Sequence, residues 1–87
     1  MTTPNVPEKV KRLLASRTTE QLCDDFILEG IFFDNCSPKK NPSKWNHLVK
    51  IRGWLLDEIE RRNPEGFDRW VDSPDMVYDK TIKDYVL

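Results

Sequence analysis

The residues of this chain that could do chemistry are few and poorly placed to act together. His47 is the only histidine, the side chain best suited to moving protons near neutral pH, but no carboxylate and nucleophile set accompanies it nearby in sequence. Cys23 and Cys36 together with His47 make three of the four ligands that a structural zinc needs, at no recognised spacing. The acidic pairs Asp24-Asp25 and Asp57-Glu58 are adjacent on helical segments, so their carboxylates point apart rather than sharing one face, and only convergence from separate helices would pair them. The three glycines are scattered and form no phosphate-cradling loop. The chain is therefore expected not to be an enzyme and to hold neither cofactor nor metal. A disulfide is not expected either, because a reducing compartment keeps both thiols free.

Three groups of residues suggest binding instead. Lys39, Lys40, Lys44 and Lys50, with His47 and Trp45 among them, gather positive charge as a nucleic-acid patch would. Against that, a helix-turn-helix needs a tight turn of about three or four residues before its recognition helix, whereas the loop before Lys44 is far longer and the distal half of the helix is acidic. Ile51 and Trp54 lie off the main apolar stripe of the same helix and form, with Glu58, a second, partly apolar face. Left open, that face makes Trp54 an anchor for a protein partner; covered by the first helix or by the tail, it is simply core. Tyr85, Val86 and Leu87 form an apolar end that could dock onto a partner or pack on the fold.

The elements that must position these groups are legible as helices. Val6, Val10, Leu13 and Leu14 recur at helical spacing, giving a first helix over Glu8–Ser16. Thr18 and Gln21 fit a capping box; Leu22, Cys23, Phe26 and Ile27 carry a second helix over 19–29, with Gly30 as its stop. The apolar run Ile31, Phe32 and Phe33 reads as core filler, and residues 34–42, rich in proline, asparagine and lysine, read as a loop. Ser43 is the expected cap of a long helix over 44–62, whose Trp45, Leu48, Val49, Leu55, Leu56 and Ile59 lie on one stripe. On its solvent face Asp57 precedes Arg61, and Glu58 precedes Arg62, in the favoured acid-first order. Arg52 falls on the apolar stripe, where it snorkels or pairs with Asp24 or Asp25, and Gly53 suggests close approach of another helix. Asn63-Pro64 breaks the chain and opens a short helix over 64–71 that turns Phe67, Trp70 and Val71 inward. The tail 73–87 reads as a fifth short helix, an arm or a loosely ordered end, and residues 1–6 as loosely ordered.

From Arg52-Gly53-Trp54-Leu55-Leu56-Asp57-Glu58-Ile59-Glu60-Arg61-Arg62-Asn63-Pro64-Glu65 to Phe67-Asp68-Arg69-Trp70, the chain resembles a loose group of short, uncharacterised bacterial proteins often carried by phages and mobile elements. The resemblance implies an all-helical fold and an accessory role, and transfers no functional residue.

Composition agrees with one small helical domain. The 87 residues hold three tryptophans, four phenylalanines and two tyrosines, with 33% charged and 38% hydrophobic residues, enough for one aromatic-rich core and too aromatic for a disordered segment. The net charge of −1 gives no global field to attract nucleic acid. No window approaches the roughly 18 apolar residues of a membrane span, and no apolar leader core appears at the start, so a cytoplasmic protein without membrane contact is expected. The expectation is an all-α bundle of four or five helices built on Trp45, Leu48, Leu55, Leu56, Ile59, Phe67, Trp70, Leu14, Leu22 and Phe26. It would act as a non-enzymatic module that binds a protein partner, itself included, through Ile51, Trp54, Tyr85 and Leu87, with nucleic-acid binding through the lysines as the alternative.

Overall fold

Thr18 caps the second helix through both bonds of a capping box: its hydroxyl accepts from the Gln21 amide at 3.1 Å and its own amide donates to the Gln21 side chain at 2.9 Å. In the computed structural model, which describes residues 6–87, that cap separates α1 (Glu8–Ser16) from α2 (Thr19–Asp34). α3 (Pro42–Arg62) and α4 (Pro64–Asp72) follow, then two 3₁₀ turns at Pro74–Val77 and Asp79–Ile82 and a one-turn α5 (Lys83–Val86). The described residues contain no strand, and none of their helices is long and apolar enough to cross a membrane. The fold is the all-α bundle expected. Of the expected loosely ordered ends, residues 1–5 lie outside the described residues.

The most extensive packing is between α2 and α3; α4 packs on α3, the tail on α4 and α2, and α1 on α3. The core contains Leu14, Leu22, Cys23, Phe26, Leu55, Ile59, Trp70, Ile82 and Val86. The tail thus takes the short-helix form and supplies two buried side chains, Ile82 and Val86. Trp70 meets Phe26 edge-on at 6.0 Å, a favoured aromatic geometry, while its indole N–H donates to the Thr81 hydroxyl at 2.9 Å.

Several boundaries and placements differ from the sequence expectation. α2 does not stop at Gly30 but runs on to Asp34. Because the segment stays helical, consecutive residues fan out by roughly 100°, so Ile31 and Phe32 face solvent and are not core filler, and only Phe33 turns inward to meet Trp45 at 5.6 Å. Trp45 is consequently half-buried at the bundle's edge rather than central, and Val49 is exposed. The cap of α3 is Asn41, not Ser43: its side chain accepts from the Lys44 amide at 3.2 Å, and Pro42 occupies the first helical position, where its fixed φ fits and its missing N–H costs nothing.

Glu58 and Arg62 leave the solvent face to which the helical pattern assigned them. Arg62 donates to Glu58 at 2.9 Å, to the Thr19 hydroxyl at 3.4 Å and to the Leu14 carbonyl at 2.8 Å, joining the end of α3 to the end of α1 and the start of α2. Arg61 adds two further bonds to Glu58. The hydrogen bond from Arg61 holds the Glu58 carboxyl below its ordinary range, with Arg62 acting in the same direction. Since the folded-state value is depressed, this contribution is present at neutral pH and is lost as pH falls through that value.

Asn63 closes the α3–α4 junction: its carbonyl oxygen accepts from the Gly66 amide at 3.0 Å and its amide donates to the Val86 carbonyl at 3.0 Å. Gly66 is buried because α5 passes directly over it; a Cβ there would collide with the Tyr85 carbonyl and fall 2.8 Å from the Asn63 amide nitrogen. Gly66→Ala is therefore expected to destabilise the fold by about 1–3 kcal/mol, the usual effect of overpacking, in denaturant unfolding. A gain approaching the roughly 1 kcal/mol that alanine offers over glycine in a helix would show that the tail does not approach α4 this closely.

Candidate functional site

α1, α2 and α3 do not close completely on one another, and between them lies a groove of about 370 Å³ with Ile51 and Trp54 in its lining. The α3 stripe explains why: Leu55 and Ile59 are buried in the core, and Ile51 and Trp54, rotated around the helix from them, line the groove. Both are half-buried and packed against the core on one side. Leu13 of α1 and Leu28 of α2, at 60% and 50% exposure, form the groove's apolar rims. The two readings of Trp54, core or surface, are therefore both partly right.

The polar residues of the groove are Arg17, Asp25, Glu29 and His47. Arg17 grips Asp25 with two hydrogen bonds, at 2.5 and 3.0 Å. Glu29 has one carboxylate oxygen shielded from solvent that accepts no hydrogen bond from the described residues. Sequence reasoning missed Leu13, Leu28 and Glu29 as site residues because each lies on a different helix or face from Trp54, and only the helix crossing brings them together.

Tyr85 and Leu87 do not join this groove, whose lining includes no residue of α4 or the tail. Tyr85 packs against the core, with its hydroxyl donating to Asp75 at 2.9 Å, and Leu87 is exposed beyond α5. Lys39, Lys40, Lys44 and Lys50 are all exposed, but Lys44 and Lys50, six residues apart on α3, project about 120° apart around the helix. Trp45, the aromatic among them, is occupied by Phe33, and His47 belongs to the apolar groove.

A second depression, of about 410 Å³, lies between α2, α3 and the tail, with Arg52 at its base. Arg52 pairs with neither Asp24 nor Asp25, which engage Lys83 and Arg17. It stacks over the Phe26 ring at 4.4 Å and the Phe33 ring at 5.5 Å and binds Asp79 through two hydrogen bonds, at 3.1 and 3.3 Å. Gly30 is the glycine that permits the approach, since a Cβ there would strike the Asp79 carboxylate. Gly30, read from the sequence as a helix stop, is thus a close-packing glycine.

Among the described residues no group of histidine, cysteine and acidic side chains could hold a metal ion. Both cysteines are free thiols. Burial pushes the Cys23 thiol up to about 11, which suppresses the reactive thiolate. Comparison with protein-family models, with curated proteins and with solved structures gives no match.

The divided environment of Trp54 has a measurable consequence. Trp54→Ala is expected to lower stability by about 1–3 kcal/mol, below the 3–5 kcal/mol typical of a fully buried aromatic, whereas Leu13→Asp with Leu28→Asp is expected to stay within about 1 kcal/mol because exposed positions carry little packing energy. Chemical denaturation of both variants checks this; a double variant as damaging as a core truncation would mean that the rims are closed.

Proposed function

We propose that this chain is a non-enzymatic protein-interaction module whose contact surface is the α1–α2–α3 groove. The observation carrying the reading is the joint placement of Ile51 and Trp54 in a groove with exposed leucines on its two walls. A tryptophan held rigidly by the core on one side, with apolar surface open on the other, is the arrangement from which interface anchors draw binding energy at little entropic cost. An apolar groove between helices is the kind of surface that takes a partner segment in the helix-in-groove mode of recognition. The resemblance of the segment from Arg52 to Trp70 to short phage and mobile-element proteins supports an accessory role in the bacterial cytoplasm, acting by binding another protein. The contact surface proposed from sequence narrows accordingly: Ile51 and Trp54 stay in it, Leu13 and Leu28 enter it, and Tyr85 and Leu87 leave it.

Capture from nuclease-treated lysate of the source organism, with the wild-type chain and the Leu13→Asp/Leu28→Asp variant side by side, tests this. The expected result is a stoichiometric protein retained by the wild type and lost from the variant, both being folded. Equal capture by both, or recovery of nucleic acid alone that disappears on nuclease treatment, would overturn the reading and favour the exposed lysines.

A further inference from the structure

α1 is attached to the bundle lightly and near one end. Of its nine residues, Leu14 is buried, Val10 is half-buried and the other seven are exposed. Its charged side chains face water, Glu8 and Arg12 lying 3.9 Å from each other. Arg62 ties the helix to α3 by donating to the Leu14 carbonyl at 2.8 Å, close to the helix end at Ser16. Past that end the chain is fixed to α2: Arg17 grips Asp25, and Thr18 closes its capping box with Gln21. Arg17 and Thr18 are both extended, at φ/ψ of −92°/147° and −70°/161°. They form a two-residue hinge beyond which α2 has its own cap, so α1 can leave without loosening the start of α2.

We propose that α1 is a hinged lid on the groove, which undocks as one unit about Arg17 and Thr18 and in doing so uncovers Ile51, Trp54 and Leu55 of α3. Nine residues are too few for a stable helix in water, so α1 is helical only while docked, and opening frees all its amides together. Opening forfeits the seats of Val10 and Leu14 and the bond to the Leu14 carbonyl, while Arg62 keeps its bonds to Glu58 and Thr19. The tail, by contrast, buries Ile82 and Val86 and is held by Trp70, Asn63 and Asp24. An element with few buried apolar contacts opens at a free energy well below that of global unfolding. α1 contributes Val10, Leu13 and Leu14 to the groove's lining. The motion therefore removes one wall to admit a segment, and redocking brings Leu13 back against it. That gating role rests on the reading of the groove as the contact surface; the opening itself does not.

Native-state hydrogen exchange, followed amide by amide in the free full chain at several urea concentrations below the unfolding transition, tests the lid. The expected result is one shared protection for the amides from Lys11 to Ser16, about a hundredfold below that of the Phe26 and Ile59 amides. Their exchange should depend only weakly on urea, because little surface is exposed when nine residues undock. Val10→Ala removes part of the lid's seat and leaves the hinge and Arg62 in place; it should speed all of these amides by the same factor, about fivefold. α1 amides that exchange only with the core, at the same protection and the same urea dependence, would overturn the lid. Protection that declines steadily toward Glu8, with Val10→Ala altering only the nearest amides, would show fraying in place of a unit motion and would overturn it as well. Neither result bears on the groove as the contact surface, which stands or falls by capture with the Leu13→Asp/Leu28→Asp variant.

Discussion

A guanidinium set into the apolar stripe of a helix must be matched, and in this fold the matching of Arg52 organises the chain's second half. Two aromatic faces of α2, Phe26 and Phe33, take the guanidinium plane, and Asp79 takes its hydrogen-bonding edge. Arg52 and Asp79 are only 21% and 27% exposed, so the pair is drawn out of water far enough for geometry to matter. To bring Asp79 there, the chain must leave α4, make two 3₁₀ turns and pass over α2 at Gly30, the point where no side chain stands in the way. Ile82 and Val86 then enter the core, where neither reaches more than 4% exposure. The tail is thus integral to the domain, and three polar ties, from Trp70 to Thr81, from Asn63 to the Val86 carbonyl and from Lys83 to Asp24, hold it along its length.

This arrangement divides α3 into edges with different tasks. One edge, carrying Arg52, packs against α2 and the tail and lines the depression between them. The stripe at its centre, Leu55 and Ile59, is the core. The edge carrying Ile51 and Trp54 is left to α1, a helix of nine residues that is too short to cover it and is secured at its end through Arg62 and the Leu14 carbonyl. A small domain has little apolar surface to spare, and leaving Leu13 and Leu28 in water beside a half-covered tryptophan costs stability that closing the groove would recover.

What could be read directly from the sequence was local. The Thr18–Gln21 box, the Asn63-Pro64 break and the periodicity of Leu48, Leu55 and Ile59 each depend on neighbours a few positions away, so helices and their order follow from them. Boundaries failed where a distant residue decided. Gly30 looks like a helix stop in isolation and is instead a passage for Asp79, which lies far along the chain. Arg52 has nearer acids in Asp24 and Asp25, yet these face Lys83 and Arg17 because of how the helices cross. The groove was half legible: Trp54 and Ile51 stand out by their angle on α3, while Leu13, Leu28 and Glu29 become site residues only through tertiary packing.

The central claim, that the groove and not the lysine loop or the tail is the working surface, is tested most directly by photo-crosslinking in living cells of the source organism. A benzoylphenylalanine is placed at Leu28 in the groove, at Lys40 in the loop or at Val77 on the tail. The account predicts one discrete protein adduct from position 28 and none of comparable yield from positions 40 and 77. An adduct confined to position 40 or 77, with position 28 silent in a folded protein, would contradict it.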